Sequence, residues 1–366
     1  MSNINKTIVG MKLLKVIGSL FIMGLFLIPS NVKATHIVGG ELTYRCLANW
    51  TFEVTLTVRR DCEFGSAEAQ FDDPASVGIY DSSGELLWWL GQGGQLSIPF
   101  NADDTLNTEF VPGCDFLGEG VCVHTSTYID TITLPFRPGG YILAYSRCCR
   151  NETLTNITDP LETGATFIVP ISNKASIECN NSPTFDEAPD LYICANEELV
   201  ADMSATDVDG DSLVYKLCIP YDGASPENPQ PQPPRGELFD EVNFQNGFGL
   251  ENFMGGVPLT IDPQTGIVTA TPNLVGQFAI GVCVEEYRDG VLIGSIKRDF
   301  QYNVRECIPG PEASFTTESN PICDALEVEF TNTSLETDAF EWFFDYPNTD
   351  ASLTSTEENP VFTFPA

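Results

Sequence analysis

The sequence predicts an all-β chain of tandem β-sandwiches, and three observations carry that prediction. Short runs alternate apolar and polar residues with period two. Gly, Pro and Asp turn signals separate these runs. No stretch sustains the 3.6-residue period of an amphipathic helix.

The first element is a leader. Lys12 and Lys15 give a positive start, Val16 to Pro29 is an apolar run, and Val32-Lys33-Ala34 places small residues before a cut after Ala34. Residues 1–34 therefore read as a secretory signal peptide. The apolar run is short of the ~18–20 residues that cross a bilayer, so no transmembrane segment is expected after cleavage. A lipoprotein would need a cysteine right after the cut, and the first is Cys46.

Residues 35–178 form the first expected domain. Thr51 to Arg59 places Phe52, Val54, Leu56 and Val58 on one face and Glu53, Thr55, Thr57 and Arg59 on the other, as a half-buried strand does. Similar runs follow at 75–80, 86–90, 121–134, 141–147 and 165–171, with turns at Asp81-Ser-Ser-Gly84 and Pro138-Gly-Gly140. Residues 179–309 form the second, with runs at 213–219, 259–261, 266–270, 276–285, 291–296 and 299–304. Asp289-Gly290 between two of them is a strong hairpin signal. Residues 225–234 are Pro-rich and read as a surface insertion. Pro309-Gly-Pro311 opens a third β pattern over 310–366.

The chain carries 17 Lys+Arg against 52 Asp+Glu, a net charge of −35. Lys6, Lys12, Lys15 and Lys33 are the only charges in the leader, so the rest stands at −39. That excludes nucleic-acid binding by phosphate neutralisation and argues against docking on an anionic membrane face. Hydrophobic content of 42% against 19% charged residues marks a foldable body rather than an acidic tail.

All 12 cysteines follow the leader, and an even count behind an export signal reads as disulfides. On a strand, Cys148 and Cys149 would face opposite ways and so take different partners, with Cys46 and Cys62 as candidates. Cys114 with Cys122 would close a short loop, and Cys218 with Cys283 would bridge two strands.

Few residues offer chemistry. Ile37-Val38-Gly39-Gly40 and Gly210-Asp211-Ser212 look like fragments of a trypsin-like protease, but no base histidine stands in a fitting motif. The two histidines are His36 and His124. His36 would make an N-terminal copper site only as residue one, and His124 reads as an ordinary edge side chain. Among so many acids, paired carboxylates have no specificity for glycoside hydrolysis. Trp88 and Trp89, read as strand residues, would face opposite ways, one in the core and one at a contact or as a sugar platform. The metal motif is Asp207, Asp209 and Asp211 around Gly210, three hard oxygen donors suited to calcium. It is not an EF-hand, because the Gly comes too early and no Glu closes the loop.

Ser204-Ala-Thr-Asp-Val-Asp-Gly-Asp-Ser-Leu-Val-Tyr215 resembles a strand–turn–strand of cadherin-like and related Ig-like modules. Ile261 to Pro272 with Gly276-Gln-Phe278 resembles the later half of the same modules. Phe340-Glu-Trp-Phe-Phe-Asp345 and Asn359-Pro-Val-Phe-Thr-Phe364 resemble a PKD domain that lacks its family's glycine and its closing strand. Together with His36 to Tyr44, Tyr145 to Asn151 and Arg298 to Gln301, the chain is similar to the large PKD-containing, gliding-motility-associated surface proteins of Bacteroidetes. The resemblance implies tandem Ig-like modules and the N-terminal part of a longer protein exported by the type IX route. It also implies display on the outer membrane surface of a Gram-negative bacterium. The expected function is a non-enzymatic adhesion or gliding-associated surface protein whose partner is an extracellular glycan, protein or surface. The alternative is a carbohydrate-binding accessory region of a secreted polysaccharide-degrading enzyme. An incomplete third module would expose an unpaired edge and part of its core, making 313–366 the least stable region.

Overall fold

The computed structural model describes residues 36–48, 50–62, 70–106, 115–116, 122–190, 192–234, 240–308, 313–319, 327–335, 337–345 and 353–364. The signal-peptide reading of 1–34 lies outside them. The fold is nearly all β, in several antiparallel sheets. Among the described residues no helix is long and apolar enough to cross a membrane.

The largest sheet has eight strands. From one edge it runs Ser212–Cys218, Gly276–Arg288, Val291–Arg305, Ile37–Ala48, Thr51–Asp61, Val123–Thr133 and Asp103–Thr105. Tyr192–Cys194 adds to it in parallel beside Val291–Arg305, Tyr192 opposite Asn303 and Cys194 opposite Arg305. The alternation of the sequence is obeyed in part: Phe52, Val54, Leu56 and Val58 are all buried and Glu53, Thr55 and Thr57 are half-buried, but Arg59 on the second face is buried as well. Asp289 and Gly290 take φ of +54° and +74°, the left-handed pair that a two-residue hairpin loop requires.

A second sheet, Gln95–Ile98, Ala75–Tyr80, Tyr141–Arg147 and Ala165–Ile171, packs on the first through its Ala165–Ile171 strand. A third, Leu199–Asp202, Ile267–Thr271 and Val257–Ile261, closes the same core. That core joins Leu42, Phe52 and Leu56 to Leu143, Phe167 and Val169, and to Ile280, Phe300 and Tyr302. The sheet and the core therefore cross the boundary expected at 178/179. Gly40 pairs with Asp299, and a side chain at Gly39 would collide with the Asp299 carbonyl. The described residues of 36–308 thus share one large sheet and one core.

At the expected boundary stands the short helix Asn173–Glu178. Ser172 caps its start, Oγ accepting the Ala175 N–H at 3.1 Å, and Cys179 ends it at φ +52°. The Pro-rich stretch is also different from its reading. Pro231, Pro233 and Pro234 are buried, and Tyr80 donates its hydroxyl to the Pro234 carbonyl. The insertion covers the outer face of the second sheet.

Residues 313–364 form smaller sheets. Phe315–Ser319, Glu327–Asn332 and Val361–Thr363 make one, and Trp342–Phe343 with Thr354–Ser355 the other. Phe315, Phe330 and Trp342 meet with ring centroids 5.5–5.7 Å apart, and Phe344 stacks on Phe362 at 4.1 Å. Phe315, Phe330, Trp342 and Phe344 line an open groove of about 610 Å³.

Five disulfides fall among the described residues. They are Cys46–Cys179, Cys62–Cys122, Cys148–Cys149, Cys194–Cys307 and Cys218–Cys283. The Cys218–Cys283 bridge is as expected, because Ser212–Cys218 and Gly276–Arg288 are neighbours. The other expectations are corrected. Cys148 and Cys149 bond each other, across a cis peptide past the end of their strand, so the opposite-face argument does not apply. Cys122 bonds Cys62 rather than Cys114, because Thr51–Asp61 and Val123–Thr133 are sheet neighbours. Cys114 lies outside the described residues.

Candidate functional site

Two polar constellations stand out. The first joins three segments that the sequence set apart. His36, Tyr145 to Asn151 and Arg298 to Gln301 are distant in the chain, yet the sheet order brings them to one place. Arg150 and Asp299, each 1% exposed, form a two-pronged ion pair at 2.5 and 3.2 Å. The remaining Arg150 donors reach the carbonyls of Gly164 and Tyr221 at 2.8 and 3.1 Å. Asn151 donates to Asp61 and Gln301 at 3.1 and 3.0 Å and lies 3.0 Å from His36 Nδ1. Glu41 sits between Arg59 and Arg298, with N–O distances of 2.7–3.3 Å. Burial alone would raise its carboxyl, but the two guanidinium groups outweigh burial and hold it at about 2. These groups take one another as partners across strands, which makes the constellation a clamp, although Arg59 Nε is buried without a hydrogen bond.

The second constellation is the acidic turn. Asp207 Oδ1 accepts the N–H groups of Asp209 and Asp211 at 3.0 and 2.9 Å, and Gly210 supplies φ +82°. Asp209 accepts the Asn181 N–H and side-chain amide at 2.7 and 3.0 Å. Arg288 grips Asp211 with Nε at 2.8 Å and Nη2 at 2.5 Å, and donates to Glu178 at 3.0 Å. Glu286 lies fully buried beside them, its Oε1 accepting Asn180 Nδ2 at 2.7 Å. Burial, joined by Asp211 and Asp207, pushes Glu286 up to about 8. Burial, with Asp211 and Asp209 nearby, also raises Asp207, whereas the hydrogen bond from Arg288 lowers Asp211.

The structure brings Asp207, Asp209 and Asp211 together, with carboxylate oxygens within 4.8 Å of one another. The donor set is hard oxygen, and Asp207 Oδ2 is buried with no hydrogen-bond donor. The residues fit a calcium-like cation on that side, while Arg288 already neutralises the Asp211 side. Sequence reasoning missed Glu286 and Arg288. A signal existed: Val282, Val284 and Glu286 share one phase of their strand, so an acid sits in an apolar row.

The remaining candidates are placed as follows. Ile37-Val38-Gly39-Gly40 is interior strand, and its glycines serve close packing against Asp299, Thr57 and Phe167. His124 Nδ1 meets Asp103 at 3.1 Å, next to the Cys62–Cys122 disulfide. Trp88 and Trp89 are not strand residues facing opposite ways. They occupy a turn, and both are exposed.

Comparison with known proteins finds no family model, no curated protein and no solved structure that matches this chain.

Proposed function

We propose that this chain is a non-enzymatic, exported cell-surface protein. Its cross-linked β body displays binding loops for adhesion or gliding-associated contact. The observation that carries the reading is the set of five disulfides, four of which join residues 60 to 133 apart in sequence. Such bonds persist in oxidising compartments and are rare where thiols are kept reduced. The acidic surface supports it further, because like-charge repulsion keeps displayed copies from associating. The resemblance to gliding-motility-associated proteins adds the outer surface of a Gram-negative cell and the type IX route. The partner is an extracellular glycan, protein or surface. In this reading Asp207, Asp209 and Asp211, with Glu286 beside them, hold a calcium ion that stiffens the turn.

Protease treatment of intact cells tests export. The protein should be cleaved without lysis, and full protection would sink the reading. Deletion of the gene should reduce adhesion or spreading. Calcium should raise the melting temperature of the native chain and not of Asp209→Ala, and an unchanged native value would remove the ion from the proposal. The second reading, a carbohydrate-binding accessory region, is favoured by one observation, the exposed Trp88–Trp89 pair.

A further inference from the structure

The loop between Ala75–Tyr80 and Gln95–Ile98 is braced from below. Leu87 is 1% exposed and sits in the main core with Leu90 packed against it, while Leu86 packs on a second cluster with Tyr80 and Ile142. The Leu87 N–H donates to Ile79 O at 2.9 Å, and the Leu90 N–H to Leu87 O at 2.9 Å. Gly94 donates to Leu90 O, and Ile79 to Gly94 O, both at 2.8 Å. Gly91, Gly93 and Gly94 turn the chain at φ of +55°, +73° and +91°, a region that side chains rarely enter. The leucines thus do the packing, and the two indoles stand outside. Trp88 is 69% exposed and Trp89 56%. Their centroids are 5.7 Å apart and their planes cross at 89°.

Three features narrow the partner. A net charge of −39 after the leader repels polyanions, including acidic lipids and nucleic acids. The two rings form a tip rather than a groove, so they neither enclose a small molecule nor seat a helix. The rings are apolar faces next to polar groups, with the exposed side chain of Gln92 on the same loop. A neutral sugar ring matches that pattern, having an apolar C–H face and a rim of hydroxyls. Rings crossed at 89° cannot lie together on a flat surface. They can each meet a different sugar of one flexible chain.

We propose that Trp88 and Trp89 form a binding tip for a single, uncharged polysaccharide chain, each indole stacking on a different sugar ring. The inference rests on the exported reading, because it is outside the cell that such chains are met. The loop is already ordered, so binding loses little conformational freedom.

The test is affinity electrophoresis of the full chain through gels containing laminarin, xylan or dextran, beside sedimentation with microcrystalline cellulose. Retardation by at least one soluble polysaccharide is expected. Trp88→Ala and Trp89→Ala should each weaken it by roughly tenfold, and the double variant should abolish it. Both side chains are exposed, so the melting temperatures of the variants should match the native value. Absence of retardation in all three gels overturns the proposal, as does retardation that the double variant retains. Stronger capture by crystalline cellulose than by any soluble chain overturns the crossed-ring geometry. Tryptophan-dependent binding to phosphatidylcholine vesicles, without polysaccharide binding, would replace the glycan with a lipid surface. Protease access on intact cells reports export whichever way these come out, so the two readings fail separately.

Discussion

Residues 36–308 and residues 313–364 are both built of short antiparallel strands, but their interiors differ. In the body, Phe52, Leu56, Phe278 and Phe300 are at most 1% exposed, and charged pairs such as Arg150–Asp299 are enclosed with them. Among the described residues of the C-terminal module Phe330 is the buried aromatic, at 9%, while Phe315 remains 55% exposed. The body closes its core with three sheets. The module has two small ones among its described residues and leaves a groove between its rings. Alternation makes strands in both places, but a closed core needs enough of them to cover both faces.

The strongest way to break the contrast is to unpair a buried charge. Arg150→Met should destabilise the body by about 3–5 kcal/mol, because Asp299 is left buried and unpaired. Removing both charges, as Arg150→Met with Asp299→Leu, should recover most of that. Chemical denaturation followed by far-UV dichroism reads both. If the single variant melted like the native chain, the pair would not be the clamp described here.

Next in size is the Cys194–Cys307 bridge, which fixes the parallel strand Tyr192–Cys194 and joins residues 113 apart. Replacing both by Ser should cost about 2–4 kcal/mol, seen as a lower denaturant midpoint. Third is a pH effect that belongs to the body alone. Folded Glu286 keeps its proton up to about pH 8, against an ordinary value of 4.5. The folded state then binds more protons than the unfolded one, so stability falls as pH rises from 4.5 towards 8. The loss is on the order of 2 kcal/mol once sharing of the proton with Asp211 is allowed for. Glu286→Gln should flatten the body's melting curve against pH and leave the module's unchanged. Smallest is Phe330→Ala, about 1–2 kcal/mol, because one side of that ring already faces the groove. Hydrogen exchange should show faster opening of residues 327–332 with no change in the body.

Much of the fold was legible because alternation is a local property. The runs at 51–59, 75–80, 141–147 and 276–285 all became strands, and Asp289-Gly290 became the turn. What a strand pairs with is not local. Nothing in Ile37–Ala48 itself says that Val291–Arg305 lies beside it, so a single sheet read as two domains. The run at 86–90 looked like a strand because its composition is apolar. Gly91, Gly93 and Gly94 decide otherwise by bending the chain straight afterwards. The acidic turn was found from its spacing, but its partners were not. Asn180 and Asn181 stand just past the boundary expected at 178/179, and Arg288 lies 77 residues from Asp211.

The pairing of Gly40 with Asp299 also sets a timetable. Glu41 and Arg298 are 257 residues apart, and the first strand stands next to one of the last strands of the body. A chain made or threaded from its N-terminus can join the first strand to Thr51–Asp61 early, yet its other edge stays vacant until about residue 305 has emerged. Such long-range topology folds slowly, because loop closure comes before the contacts that reward it. Until then the growing chain presents an open, sticky strand edge.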